Sequence, residues 1–198
     1  MPLPFGAWYQ LPQIEPRQYT CGHSDCAKEV GSEKGWFYQL GGGQRVAYLY
    51  ICPVCYRPSF FHESSQIPGP QLGTSIEHLP DEISKLYGEV RRSTSQEAYT
   101  AAVLSCRKLL MHIAVEQGAQ QNKSFVEYVD YLVQNHFAPP KSQPWVDRIR
   151  QKGNEANHEI RIMQKADAQE IMTFLEMLLK FIYEFPQKAQ SAAPPPGP

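Results

Sequence analysis

Two hydrophobic periods divide the chain. In its later part, apolar side chains recur at helical spacing as Tyr99, Ala102, Val103, Cys106, Leu109, Leu110 and Ile113, until Gly118 ends the run. The same period passes through Phe125, Val129, Leu132 and Val133, and again through Ile171, Met172, Phe174, Leu175, Leu178, Leu179, Ile182 and Tyr183. Start and stop signals frame these stretches. Thr94-x-x-Glu97, Ser124-x-x-Glu127 and Asp167-x-x-Glu170 have the form of capping boxes, in which two side chains satisfy the orphan backbone N–H groups of a helix start. Pro139 and Pro140 must end the second helix, because proline removes a donor and clashes with the preceding turn. Pro80, with Asp81 and Glu82 set against the helix dipole, opens a short helix through Ile83, Leu86 and Tyr87. Pro144 opens another, in which Trp145, Ile149, Ala156 and Ile160 fall along one side. The pattern predicts a helical domain of four to five helices over residues 79–186.

Ahead of residue 63 the period changes. Aromatic and β-branched runs over Gly35–Leu40 and Arg45–Ile51 flank Gly41, Gly42 and Gly43, which predicts a β-hairpin, and Phe60 with Phe61 offers a short third strand. Residues 1–18, rich in proline and aromatics, show neither period and are expected to be an extended lead-in. Residues 63–78, with Pro68, Gly69, Pro70 and Gly73, are expected to form a linker, and the Pro-rich tail 187–198 to be disordered. The fold class so predicted is mostly α, a helical bundle preceded by a small β-hairpin.

Composition narrows this little. A length of 198 residues suits one domain with a small appendage, and 19 Lys plus Arg against 20 Asp plus Glu give a formal net charge of −1, so no global basic field advertises nucleic acid. No basic and apolar leader opens the chain, and the apolar carboxyl-terminal run is broken by Glu176, Lys180 and Glu184, so a soluble cytoplasmic protein away from the membrane is expected.

The cysteines say more. Four of the five stand as Cys21-x4-Cys26 and Cys52-x2-Cys55, a spacing that without a secretory leader reads as metal ligation rather than disulfides. Residues 19–62 resemble a zinc ribbon, which implies one structural Zn²⁺ held by Cys21, Cys26, Cys52 and Cys55, with His23 as the alternative to a member of the first pair. So small a segment cannot fold on its own apolar core, so the ion would supply much of its stability and leave no open position for chemistry. Cys106, inside a helical pattern, reads as a buried small hydrophobe.

The polar residues of the Pro144 helix form a pattern of their own. Arg150, Asn154 and His158 stand four apart and stack along one side, while Arg107 lies near the apolar face of its own helix and needs a partner there. Leu79-Pro80 with Ile83 and Tyr87, the helix from Ala98 to Gln117 carrying Arg107, and Ile149-Arg150-x-x-Gly153-Asn154-x-Ala156-x-His158 together resemble the bacterial family called domain of unknown function 4145. That family is similar to the HEPN superfamily of helical bundles, many of them metal-independent ribonucleases of defence and mobile-element systems that act as homodimers.

The resemblance implies an HEPN-like bundle dimerising through its helical domain, associated with RNA or DNA, in which His158 handles protons, Asn154 orients the phosphate or the ring, and an arginine stabilises the phosphate charge. Aligned on Asn154 and His158, the motif arginine falls on Gly153. Arg150, one turn earlier, and Arg107 are the candidate substitutes, and without such a cation about 3 kcal/mol of transition-state stabilisation is lost, a hundredfold or more in rate. Two readings follow. One is a metal-independent endoribonuclease with the ribbon as a docking module. The other is a catalytically silent dimer that binds nucleic acid, or a protein partner through the ribbon.

Overall fold

The glycine cluster behaves as its composition requires. In the computed structural model, which describes residues 5–10, 15–138, 143–158 and 162–191, with the side chains of 143 and 152–158 left aside, Gly43 adopts φ +85° and donates to the Leu40 carbonyl at 2.9 Å. This turn joins Gly35–Leu40 to Arg45–Ile51 as an antiparallel hairpin in which Phe37 faces Tyr48. The hairpin is the middle of something larger. In chain order the strands are β1 (Gly6–Gln10), β2 (Arg17–Thr20), β3 (Glu29–Ser32), β4 (Gly35–Leu40), β5 (Arg45–Ile51), β6 (Pro58–His62) and β7 (Ser65–Ile67). Five of them make an antiparallel sheet of order β1-β4-β5-β6-β7, and β2 and β3 pair as a second sheet.

This corrects the expected fold class. The chain is not mostly α with a hairpin in front: helix accounts for 46% and strand for 20%, and residues 6–67 carry a five-stranded sheet followed by the helices. The expected lead-in, 1–18, supplies β1, where Trp8 lies opposite Tyr38, and the first half of β2, which continues to Tyr19 opposite Val30. Phe60 and Phe61 belong to a full strand, and the expected linker begins with β7. One sheet face carries Phe37, Tyr50 and Phe61, which with Tyr19, Val30, Cys21, Cys26 and Cys52 form a buried cluster.

Residues Met1–Gln71 with Thr94–Glu97 form one compact unit, and Leu72–Ser93 with Ala98–Pro198 the other. In the second, the helices are α1 (Asp81–Ser95), α2 (Tyr99–Glu116), α3 (Phe125–Gln134), α4 (Gln143–His158) and α5 (Lys165–Leu179), which runs on through a π-helical turn, Lys180–Glu184, into α6 (Phe185–Ser191). The apolar periods become one core: Val103, Cys106, Leu110, Val129, Leu132, Ile171, Phe174 and Leu178 are all fully buried. Trp145 sets its edge against Phe174 at 5.1 Å, while its neighbours Val146 and Ile149 are buried completely.

The capping signals fare unevenly. Ser124 and Glu127 make the reciprocal box, with Glu127 N–H donating to Ser124 Oγ at 3.3 Å and Ser124 N–H to Glu127 Oε2 at 2.8 Å. Thr94 caps nothing. It lies in the last turn of α1, which is longer than the short helix expected, and α2 starts at Tyr99 after Glu97 at φ +58°. Asp167 sits inside α5 and accepts from the Gln164 N–H at 2.9 Å, so the helix opens three residues earlier than expected. Helix α6 extends to Ser191, into the segment expected to be a disordered tail, whose remainder, 192–198, lies outside the described residues.

Segment 72–78 is fastened to α5 through the Glu176 carboxylate. Glu176 accepts from Thr74 Oγ1 at 2.5 Å, Thr74 N–H at 3.2 Å and Lys180 Nζ at 2.6 Å, and the Tyr87 hydroxyl donates to the Thr74 carbonyl at 3.1 Å. Gly73 is required here. At φ +71° it would place a Cβ 2.6 Å from the Tyr87 hydroxyl. Partial burial acts to raise the Glu176 pKa, but the hydrogen bonds from Lys180 and Thr74 outweigh it and hold the group below its ordinary value of 4.5. A depressed folded pKa contributes stability above the ordinary value and loses it as pH falls through the folded one. Glu176→Gln should therefore lower stability by about 1–2 kcal/mol at pH 7, with the gap to wild type closing in acid, as read by urea unfolding across pH.

Candidate metal centre

The site begins with two turns of the same construction. In the first, the Cys21 N–H donates to the Lys28 carbonyl at 2.9 Å, the Ala27 N–H donates to the His23 carbonyl at 3.1 Å, and Ala27 takes φ +46°. In the second, Cys52 N–H donates to the Arg57 carbonyl at 3.0 Å, Tyr56 N–H to the Cys52 carbonyl at 2.9 Å, and Tyr56 takes φ +57°. Each turn thus reverses the chain with a left-handed residue just after its second cysteine, and each joins two paired strands, β2 to β3 and β5 to β6. Gly22 fits this crowding: a Cβ there would lie 2.2 Å from the carbonyl oxygens of Pro68 and Gly69.

The turns bring four free thiols to one point. Cys21 Sγ lies 3.7 Å from Cys55 Sγ, Cys26 Sγ lies 3.7 Å from Cys52 Sγ, and all four sulfurs fall within 4.8 Å of one another. A disulfide needs about 2.05 Å. Four sulfurs each about 2.3 Å from a central ion sit about 3.8 Å apart along the edges of a tetrahedron, so the cluster has the dimensions of a tetrathiolate zinc site. His23 stands in the backbone place that Cys52 occupies in the second turn, yet its Nε2 donates to the Pro58 carbonyl at 2.9 Å, outside the sulfur cluster.

The surroundings favour thiolates unequally. Burial pushes the Cys21 and Cys26 thiols up. Burial opposes ionisation of Cys55 too, but hydrogen bonds from the Arg57 backbone N–H and guanidinium bring it down to about 7. Arg57 also pairs with Asp25 at 2.8 Å, so a single cation touches both turns. Two buried oxygens, the Tyr19 hydroxyl and Ser59 Oγ, lie near the sulfurs. Burial, reinforced by the Cys52 sulfur, lifts the Tyr19 phenol to about 12, with neighbouring Ser59 acting the other way. A phenol held un-ionised beside sulfurs is a donor suited to a thiolate, which is what metal-bound cysteines require around them.

The arginine column is placed differently. Arg150, on α4, gives Nη1 to Asp147 and Nη2 to Asp130 of α3, while its Nε is buried without a partner. Arg107, on α2, lays its guanidinium over the Phe125 ring at 4.3 Å, and burial lowers its pKa. The two candidate cations are thus held by different groups. Asn154 and His158 continue the same helix by one and two turns, and their side chains lie outside the described residues. A cavity of about 530 Å³ at the α2–α3 connection reaches Asp130 and is lined by Glu127, Lys123 and Tyr131, so carboxylates outnumber cations along it.

The model of the family described as Domain of unknown function (DUF4145) matches residues 88–193. The chain belongs to this family. No curated protein and no solved structure matches it. The DUF4145 region holds Arg107, Arg150, Asn154 and His158, and the cysteine cluster precedes it. Within the described residues, no helix is long and apolar enough to cross a membrane.

A purified chain should carry one Zn²⁺ by elemental analysis. Cys52→Ser should weaken zinc about a hundredfold or more, an even quarter of the 10–16 kcal/mol typical of small zinc sites. Arg57→Ala should cost about 10-fold by removing the guanidinium that donates to Cys55 while its backbone N–H remains. Because zinc must displace protons from the thiols, competition titration should show its affinity falling as pH drops from 8 to about 6.

Proposed function

We propose that this protein is a non-catalytic nucleic-acid-binding protein, with RNA as its first partner, in which zinc staples the β unit and the helical domain serves as a scaffold. The observation that carries the silent reading is the clamp on Arg150. A guanidinium already shared by Asp130 and Asp147 is neutralised, and turning it to a phosphate would leave two carboxylates facing that phosphate. Arg107, the other candidate, is committed to an aromatic ring. With Gly153 at the motif position, the transition-state charge has no dedicated cation. The metal site supports the same view, since four protein sulfurs fill a tetrahedral ion and leave it a cross-link only.

The ribonuclease reading keeps one support. Residues 143–158 are helical, so Arg150, Asn154 and His158 follow one another at single-turn spacing along α4. The two readings separate on labelled single-stranded RNA and tRNA without added divalent metal. The zinc-loaded wild type is expected to bind RNA and leave it intact. Cleavage that disappears in His158→Ala at equal zinc content would overturn the silent reading, and a gain of cleavage in Asp130→Asn with Asp147→Asn would show the clamp to be what silences it.

A further inference from the structure

Face by face, the five-stranded sheet offers one place where cations and rings alternate. Phe37, Tyr48 and Phe61 lie side by side in register across β4, β5 and β6. Arg45 sits over the Phe37 ring at 4.1 Å, and Arg17 from β2 sits over the Phe61 ring at 4.2 Å. Half-buried Tyr48 lies in register between the two covered rings and stacks on Tyr50. Together with Gln44 and Glu63, Arg17, Arg45, Tyr48 and Phe61 line a cavity of about 330 Å³, at the small end of ligand-sized pockets.

We propose that this slot binds one nucleotide of a single-stranded nucleic acid, stacking the base against the guanidinium and tyrosine surfaces and pairing its phosphodiester with Arg17. The proposal rests on the nucleic-acid-binding reading above and gives it a site. A guanidinium held over a ring is ordered in advance and keeps N–H groups for an acceptor. Stacked aromatics and arginine planes recognise bases without regard to sequence, because every base has a π-face. The charges select the phosphodiester. Arg45 is paired with Glu15 at 2.8 Å, whereas Arg17 has no carboxylate partner among the described residues. One available positive charge matches the single charge of a diester better than the double charge of a terminal phosphate. Glu63, on the rim, opposes any anion and penalises the more highly charged one further.

The test is fluorescence anisotropy of a labelled single-stranded oligonucleotide of about eight nucleotides with the zinc-loaded full chain. Arg17→Ala is expected to weaken binding about fivefold or more and to flatten the logarithmic salt dependence by about 0.7, one phosphate contact on a single strand. Tyr48→Leu should weaken it similarly, Tyr48→Phe should retain it, and Glu63→Gln should strengthen it. Zinc content and thermal melting establish that each variant is folded. Binding that is unchanged in folded Arg17→Ala and Tyr48→Leu would overturn the slot while leaving the nucleic-acid reading in place. Absence of oligonucleotide binding by the wild type at low salt would overturn both. Preference for a free nucleoside monophosphate over the strand, or for a phosphotyrosine peptide, would overturn the assignment of ligand.

Discussion

The convergence of four sulfurs is the constraint on which the β unit depends. Three of the eight residues in its buried cluster, Cys21, Cys26 and Cys52, are themselves members of the sulfur group. A core in which thiols take the place of large apolar side chains buries less hydrocarbon than its size requires, and an unligated cluster gathers four polarizable groups that gain little from one another. A shared ion would reverse that balance, because it would tie the turn after β2 to the turn after β5 and close the chain between them. The aromatic residues Tyr19, Tyr50 and Phe61, with ring centroids 5.1–6.5 Å apart, then pack around a fixed point. With an ion bound at the sulfurs, metal affinity and folding would be one quantity in this unit.

The helical unit is built on the opposite principle. Its core is apolar and continuous, so polar residues there act in positioning rather than in holding the domain together. Glu176 and Glu184 each accept from the backbone of segment 72–78, at Thr74 and Glu77, with Lys180 and Lys188 one turn on. The π-helical turn between α5 and α6 lies over the same residues. Arg150 has the same character. Half-buried ion pairs add little net stability, since desolvation offsets most of the attraction, but they fix which side chains face each other, and here they join α4 to α3.

What could be read from the chain followed the range of the interaction. The β4–β5 hairpin was legible because its turn glycines and both strands are contiguous, and the Ser124 box because a cap is completed within four residues. The cysteine quartet was legible because ligand chemistry restricts spacing. Strands β1, β2, β3 and β7 were not, being only three to five residues long, and β1 in addition pairs with β4, far along the chain. Nothing local to Trp8 announces Tyr38. The Thr94 box failed because a motif of four residues cannot say whether it lies before a helix or in the last turn of the previous one, and α1 outran its short apolar signal. His23 had the right chemistry and even the right backbone place; the Pro58 carbonyl, brought in by β6, decided against it.

Net charge illustrates the same limit. A formal charge of −1 gives no information about partners because it does not show which cations are already paired with carboxylates. Arg45 is paired with Glu15, Arg57 with Asp25, Arg148 with Glu170, and Arg150 with two aspartates. The sequence draws all of these as equal basic residues, and Arg150 was a candidate for phosphate contact. The structure separates them by what each already touches. A cation paired with a carboxylate must break that pair before it can hold a phosphate, whereas one stacked on a ring keeps its charge and gives up only freedom of motion. Arg17 is of the second kind, and it drew no notice in the sequence because neither Phe61 nor β3 is near it along the chain. The capacity of this protein to meet an anion therefore depends less on how many basic residues it has than on which of them folding leaves without a carboxylate.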